Sequence, residues 1–256
     1  MFVSHGAPTL AIDDGPAHDF LSACGKSLGK PGAILLLSAH FEAPTATVTT
    51  SLAPKTACDF YGFPEALYNI TYPAPGDPKL AHRVSDLLSA AGIAVRMDAT
   101  RGLDHGAWVP LTLIYPDADV PVIQLSIDSQ KGPAYHVRLG ELLRPLREEG
   151  VLIIGSGGAT HNLPHAIQAQ QNDPIEDWAV TFREWLADAV TNDRRDDLAN
   201  YRDIAPAAVQ NHPTEEHFLP LLCAMGATEP GEPRRRVHAS NTYGSLAMDA
   251  YLFGAP

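Results

Sequence analysis

Pro31-Gly32-Ala33-Ile34-Leu35-Leu36-Leu37-Ser38-Ala39-His40 is the stretch on which the fold turns. Five apolar residues run without a polar break, from a Pro-Gly turn signal to a Ser-Ala-His stop. A run with no alternation suits a strand covered on both faces, the habit of parallel sheets. Val151-Leu152-Ile153-Ile154 repeats the pattern and flows into Gly155-Ser156-Gly157-Gly158-Ala159-Thr160-His161, and Val120 to Ile127 reads as a third strand. Only Met1, Phe2 and Val3 precede Ser4-His5-Gly6, so a strand ending at His5 is short here.

Helical segments fall between these runs. Ala17 to Leu28 is one, within Pro16 to Gly29. Pro78 to Ala91 has Leu80, Val84, Leu87 and Leu88 on one face and Gly92 as its C-terminal stop. Ala134 to Glu149 carries Leu139, Leu142, Leu143 and Leu146, and Pro145 should loosen its last turns. Thr45 to Thr50 and Ile93 to Met97 read as further strands. Leu103 to Trp108 reads as a loop before a short helix, Val109 to Ile114. Beyond residue 160 the chain turns helical. Pro174 to Val190 is amphipathic, Leu198 to Val209 is helical in two pieces, and a helix follows Thr214 with His217 in its first turn. Tyr243 to Phe253 reads as a last strand or helix. Strands alternating with helices over the first 160 or so residues predict an α/β fold: a single domain, residues 1–256, with a central mixed, largely parallel sheet flanked by helices.

Composition narrows the function. Hydrophobic residues make up 45% of the 256 and charged residues 19%, enough for a full core. A formal net charge of −12 argues against nucleic acid or an anionic membrane as partner. The one tight basic run, Arg234-Arg235-Arg236, reads as a solvated loop. Cys24, Cys58 and Cys223 have neither disulfide-framework nor zinc-ribbon spacing. No secretory leader is legible, and no apolar run approaches the roughly 20 residues that cross a bilayer. A cytoplasmic enzyme is the expectation, and a homo-oligomer is left open.

Five histidines stand at breaks in the hydrophobic pattern: His5, His40, His105, His161 and His217. Imidazole is both the commonest metal-binding side chain and a proton carrier near neutral pH. In α/β sheets ligands bind beyond the carboxyl ends of the strands. His5, His40 and His161 each follow a strand-like run, so they should reach the same sheet edge. Any one alone reads as a hydrogen-bonded loop histidine; three at matching strand ends favour a shared site. Gly155-Ser156-Gly157-Gly158 lacks the spacing of a phosphate loop, and reads instead as backbone that lets a ligand approach. Asp104 either orients a ring or lies in a turn that His105 caps. Glu215 or Glu216 offers a carboxylate beside His217.

Eight short motifs then appear in order. They are Ser4-His5-Gly6-Ala7-Pro8, Ser38-Ala39-His40-Phe41, Tyr61-Gly62-Phe63-Pro64, Tyr72-Pro73-Ala74-Pro75-Gly76, Leu103-Asp104-His105-Gly106-Ala107-Trp108, Gln124-Leu125-Ser126-Ile127-Asp128, Thr160-His161-Asn162-Leu163 and Pro213-Thr214-Glu215-Glu216-His217-Phe218-Leu219-Pro220-Leu221. Each is weak alone. As an ordered set spanning nearly the whole chain they resemble the class III extradiol ring-cleaving dioxygenases, in the DOPA 4,5-dioxygenase-like branch.

The resemblance implies a mononuclear non-haem Fe(II) site, with zinc as the metal found in some members. It implies His5, His40 and His217 as metal ligands, His161 as acid/base catalyst, and His105 as a second active-site histidine touching substrate or oxygen. The implied reaction opens a small-molecule catechol with O2. Such sites more often pair two histidines with one carboxylate, so Glu216 is the alternative third ligand. Phe41, Tyr61, Phe63 and Trp108 are candidates for stacking on a planar ring, or else ordinary loop anchors. A zinc hydrolase using the same histidines with a metal-bound water, and a non-catalytic metal-binding relative, are the competing readings.

Overall fold

Ile34 and Leu36 face one side of strand β2 (Ala33–Ser38) and Leu35 and Leu37 the other, and all four are fully buried. The two sets belong to different cores. Leu35 and Leu37 pack in a cluster with Leu139, Leu143, Leu222 and Phe218; Ile34 and Leu36 pack with Leu21, Trp108, Val109 and Leu111. The first cluster is built on helices Gly132–Leu143 and Leu219–Gly226, the second on helices Pro16–Leu28 and His105–Ile114. Burying a leucine side chain on either face stabilises the fold by about 2 kcal/mol.

The computed structural model describes residues 1–254, and Ala255 and Pro256 lie outside it. The other strands are β1 (Phe2–Ser4), β3 (Ala46–Thr49), β4 (Val95–Asp98), β5 (Val122–Gln124), β6 (Val151–Gly157), β7 (Arg234–His238), β8 (Asn241–Thr242), β9 (Leu246–Ala247) and β10 (Ala250–Phe253). Six of them form the central sheet in the order β5-β2-β6-β1-β10-β7. β5, β2, β6 and β1 run parallel, while β10 and β7 add an antiparallel edge. The fold is the α/β architecture the sequence predicts, with a mixed, mostly parallel sheet. β3 and β4 pair with each other outside that sheet, and β8 and β9 form a small hairpin. No helix among the described residues is long and apolar enough to cross a membrane.

Several elements differ from the sequence reading. The loop expected over Leu103–Trp108 is helical from His105 onward, because the Asp104 carboxylate caps the helix by accepting from the Ala107 N–H. Pro110 sits inside that helix and has no N–H for the Gly106 carbonyl; the Ser156 hydroxyl donates to that carbonyl instead. β6 runs on through Gly155-Ser156-Gly157, since Gly155 and Ser156 pair with β1 on one side and β2 on the other, and Gly157 with β1. Their room serves the protein's own backbone rather than a ligand. A Cβ at Gly155 would collide with the Pro220 carbonyl, and one at Gly157 with the His217 carbonyl. β5 is shorter than Val120–Ile127 because Leu125 and Ile127 bridge to Val48 and Glu42 instead.

In the C-terminal half, the two expected helical pieces are three one-turn helices, Arg195–Ala199, Tyr201–Ile204 and Ala208–Asn211. The hydroxyl of Thr214 donates to Glu216 rather than capping a helix, so the helix starts at Leu219 and His217 precedes it. The arginine triplet is not a solvated loop. It lies on edge strand β7, where buried Arg234 pairs with Asp193 and Arg236 with Glu184.

Candidate active site

β1, β2 and β6 end side by side, and each delivers a histidine to that edge. His5 follows Ser4 directly, His40 lies two residues past Ser38, and His161 four past Gly157. His217 comes from the turn before helix Leu219–Gly226, held against β6 by the Gly158 N–H donating to its carbonyl at 2.9 Å. His105 opens its helix from the opposite side. The five rings meet. Centroids are 4.9 Å apart for His5 and His40, 5.3 Å for His5 and His217, 4.9 Å for His40 and His217, and 3.9 Å for His40 and His105. His161 stacks on His217 at 3.4 Å with planes 6° apart.

The hydrogen bonds decide which nitrogens face inward. The one proton of the Ser156 hydroxyl goes to the Gly106 carbonyl, so its oxygen accepts from His5 Nδ1–H at 3.0 Å. That leaves His5 Nε2 bare, 3.0 Å from His40 Nε2. His217 Nδ1–H donates to Glu216 at 3.0 Å, which likewise leaves its Nε2 unprotonated. His105 gives both its backbone N–H and its Nδ1–H to one Asp59 oxygen, each at 2.9 Å. Asp104 orients no ring. It accepts from Ser38 Oγ at 2.6 Å, Gln124 at 2.8 Å and Arg101 at 3.0 Å, and so ties the end of β2 to the start of the helix that His105 opens.

Electrostatics favour neutral rings. Burial, reinforced by the neighbouring imidazoles, holds His5 and His217 well below the usual histidine range. Burial lowers His40 to about 4, with His105 adding to the shift, and lowers His161 to about 4. Burial and these neighbours oppose protonation of His5, His40, His161 and His217, and it is the neutral ring that binds metal.

The donor set fits a divalent ion. One ligand atom from each of His5, His40 and His217 lies within 4.8 Å of the others. Two nitrogens on ~2.1 Å bonds at a right angle to one ion stand about 3.0 Å apart, which is the His5–His40 separation. In two further groups, His40 with Asp59 and His105, and His161 with Glu216 and His217, one ligand atom from each residue also lies within 4.8 Å of the others.

A cavity of about 620 Å³ opens over the rings, and Phe60, Phe63, Leu163 and Leu246 supply its apolar wall. Of the aromatic residues singled out in the sequence, only Phe63 lines it. Phe41 is buried under the Arg101 guanidinium, 4.0 Å from its ring. Tyr61 is 92% exposed and points away from the fold. Trp108 is fully buried in its helix, with its indole N–H on the Ala57 carbonyl. Phe60 was missed. It and Phe63 face the same way across a turn at Gly62, 5.4 Å apart and edge to face. Asp59 was missed too; nothing local marks it, since its partner lies 46 residues away.

Comparison with known proteins agrees with this geometry. Residues 1–253 match the family model of the catalytic LigB subunit of aromatic ring-opening dioxygenase. A 4,5-DOPA dioxygenase extradiol from Beta vulgaris is 44% identical, with 98% of this chain and 95% of that protein aligned. A 4,5-DOPA dioxygenase extradiol from Escherichia coli K12 is 38% identical over 99% and 94%. The crystal structure of an uncharacterized Escherichia coli K12 protein superposes with a TM-score of 0.83 at 34% identity, covering 99% of this chain and 98% of that one. The family and the histidine cluster together point to a metal cofactor, and the hydrolase reading of the same cluster is not favoured. By sequence over nearly its whole length, the chain belongs to the LigB family of aromatic ring-opening dioxygenases and is an extradiol ring-cleaving enzyme of the 4,5-DOPA dioxygenase-like kind.

Proposed function

We propose that this protein is a single catalytic domain that holds Fe(II) on His5, His40 and His217 and opens a small-molecule catechol with O2. The observation that carries the reading is the bare Nε2 of His5, 3.0 Å from His40 Nε2 and joined by His217, at the floor of an aromatic-lined cavity. Three neutral imidazoles suit Fe(II) and also zinc, which makes zinc a competitor for the site. Glu216 is better employed in orienting His217 than as a ligand, because one of its oxygens already accepts from both Thr214 and His217. An ion held there would supply Lewis acidity that makes catechol hydroxyls easier to deprotonate, and would supply the redox chemistry toward O2.

The chain's own residues then handle binding and protons. Phe60 and Phe63 cover the ring and keep water from it. His161, on the wall of the cavity, takes a proton from a catechol hydroxyl and gives it back to oxygen as the ring opens. His105, with Nδ1–H committed to Asp59, presents Nε2 as an acceptor to the second hydroxyl or to oxygen. Both oxygen atoms of O2 end in the product, a muconate semialdehyde. Anaerobic reconstitution with Fe(II), followed by O2 and a panel of catechols, is expected to give oxygen uptake and a yellow product. Ester or amide turnover with zinc alone, and no oxygen uptake with Fe(II), would overturn the proposal.

A further inference from the structure

The cavity over the histidines carries fixed charge of one sign. Glu42 stands exposed on its wall and Glu216 lies deeper, and among the described residues no lysine or arginine lines it. Neither carboxylate pairs with a lysine or arginine. Glu216 bonds to Thr214 and His217, and Glu42 accepts only from the Ser129 N–H at 3.4 Å. Arg101 touches the His40 carbonyl at 2.8 Å but is committed there, to Asp104 and to the face of Phe41. A dianionic catechol would offset the charge of a divalent ion, and the proton that His161 takes up lies beside Glu216. A substituent on the ring therefore meets chiefly the unpaired charge of Glu42 beside the apolar surfaces of Phe60 and Phe63.

We propose that this site selects its catechol by the charge of the ring substituent: it favours a side chain ending in an ammonium group, received by Glu42, and disfavours one ending in a carboxylate. The inference rests on the cavity being the catechol site. An ammonium finds a free acceptor on Glu42. A carboxylate finds no lysine or arginine partner, loses water and faces the like charge of Glu42. Ligands of opposite charge differ by two units in that field, which corresponds to about tenfold or more in affinity at low salt, shrinking as salt rises.

The test uses three catechols of matched size: 4-ethylcatechol, 4-(2-aminoethyl)catechol and 3,4-dihydroxyphenylacetate. Their kcat/KM values are measured with the Fe(II) enzyme at low and high salt, and their anaerobic binding to the zinc-loaded protein by calorimetry. The expected order is amine, then ethyl, then carboxylate, in both measurements. Glu42→Gln should narrow the amine-to-carboxylate ratio several-fold, whereas Asp86→Asn, the same charge change on an exposed site of helix Pro78–Ala90, should leave it in place. Equal values for the three, or an equal narrowing in Asp86→Asn, would overturn the charge-selection proposal while 4-ethylcatechol turnover upholds the dioxygenase reading. Charge-ordered binding with no turnover of any of them would do the reverse.

Discussion

The tautomer of His5 traces to a proline on another element. Pro110 cannot bond the Gly106 carbonyl; Ser156 donates to it, and the Ser156 oxygen is thereby left to accept from His5 Nδ1–H. Ser156→Ala should keep the fold but weaken metal binding by roughly 10- to 100-fold, since residues that orient a ligand are worth about that much. Metal titration followed by absorbance or calorimetry checks this, and an unchanged affinity would show that packing alone orients His5. His161→Ala should keep its metal by elemental analysis and lose turnover by roughly 10²- to 10⁴-fold. Loss of metal in parallel with activity would make His161 a ligand instead. Asp59 belongs to the same scale: one carboxylate oxygen, lowered to about 2 chiefly by its bonds to His105 acting against burial, stays ionised and holds that ring in one orientation.

At the scale of elements, the site exists because helix Leu219–Gly226 lies directly on β6. Gly155 and Gly157 permit the contact, with the Pro220 and His217 carbonyls where side chains would stand. Gly157→Ala should push the His217 turn off the strand. A clash against backbone cannot be relieved by a rotamer change, so a loss of about 2 kcal/mol or more is expected, with metal affinity falling alongside. Urea unfolding and metal content of the same preparation measure both; a stable variant with full metal would mean the helix can slide without cost. The antiparallel edge is held differently. Arg183 reaches fully buried Asp249 beside β10, and Arg236 on β7 reaches it as well, so the basic stretch of β7 closes the sheet through side chains as well as its ladder.

The whole molecule should be sensitive to acid. His136 and His212 are fully buried, and burial lowers them to about 4 and about 3. His136 accepts from the Asp128 N–H, which requires a neutral ring; His212 Nε2–H donates to the Ala159 carbonyl, which favours the charged ring, but burial outweighs it. Their folded pKa values lie below the unfolded value near 6.5, so below that pH the unfolded chain takes up protons that the folded one refuses. Stability is therefore full above about pH 6.5 and falls as pH drops toward 4, by on the order of 3 kcal/mol from His136 alone. Urea midpoints of chelator-treated protein between pH 7 and 4.5 should decline steadily. A flat profile would contradict the neutral assignment, and His136→Gln should reduce the slope.

Local chemistry was enough for the parallel strands of the central sheet, the main helices and the chemical type of the site, but not for the C-terminal strands β7 to β9. Unbroken apolar runs at Ala33–Leu37 and Val151–Ile154 dictate strands buried on both faces, and a histidine shortly after a strand end must reach the sheet edge, because parallel strands finish together. Only the tertiary structure decided the rest, because each remaining choice depends on a partner far along the chain. Asp59 finds His105, Ser156 finds both His5 and Gly106, and Trp108 turns into the core while Phe60 turns into the cavity. Arg234 and Arg236 read as solvated until Asp193 and Glu184 arrive to pair with them. Periodicity is local and can be read in order; hydrogen-bond commitment and the direction of a side chain are settled only when distant segments compete for the same space.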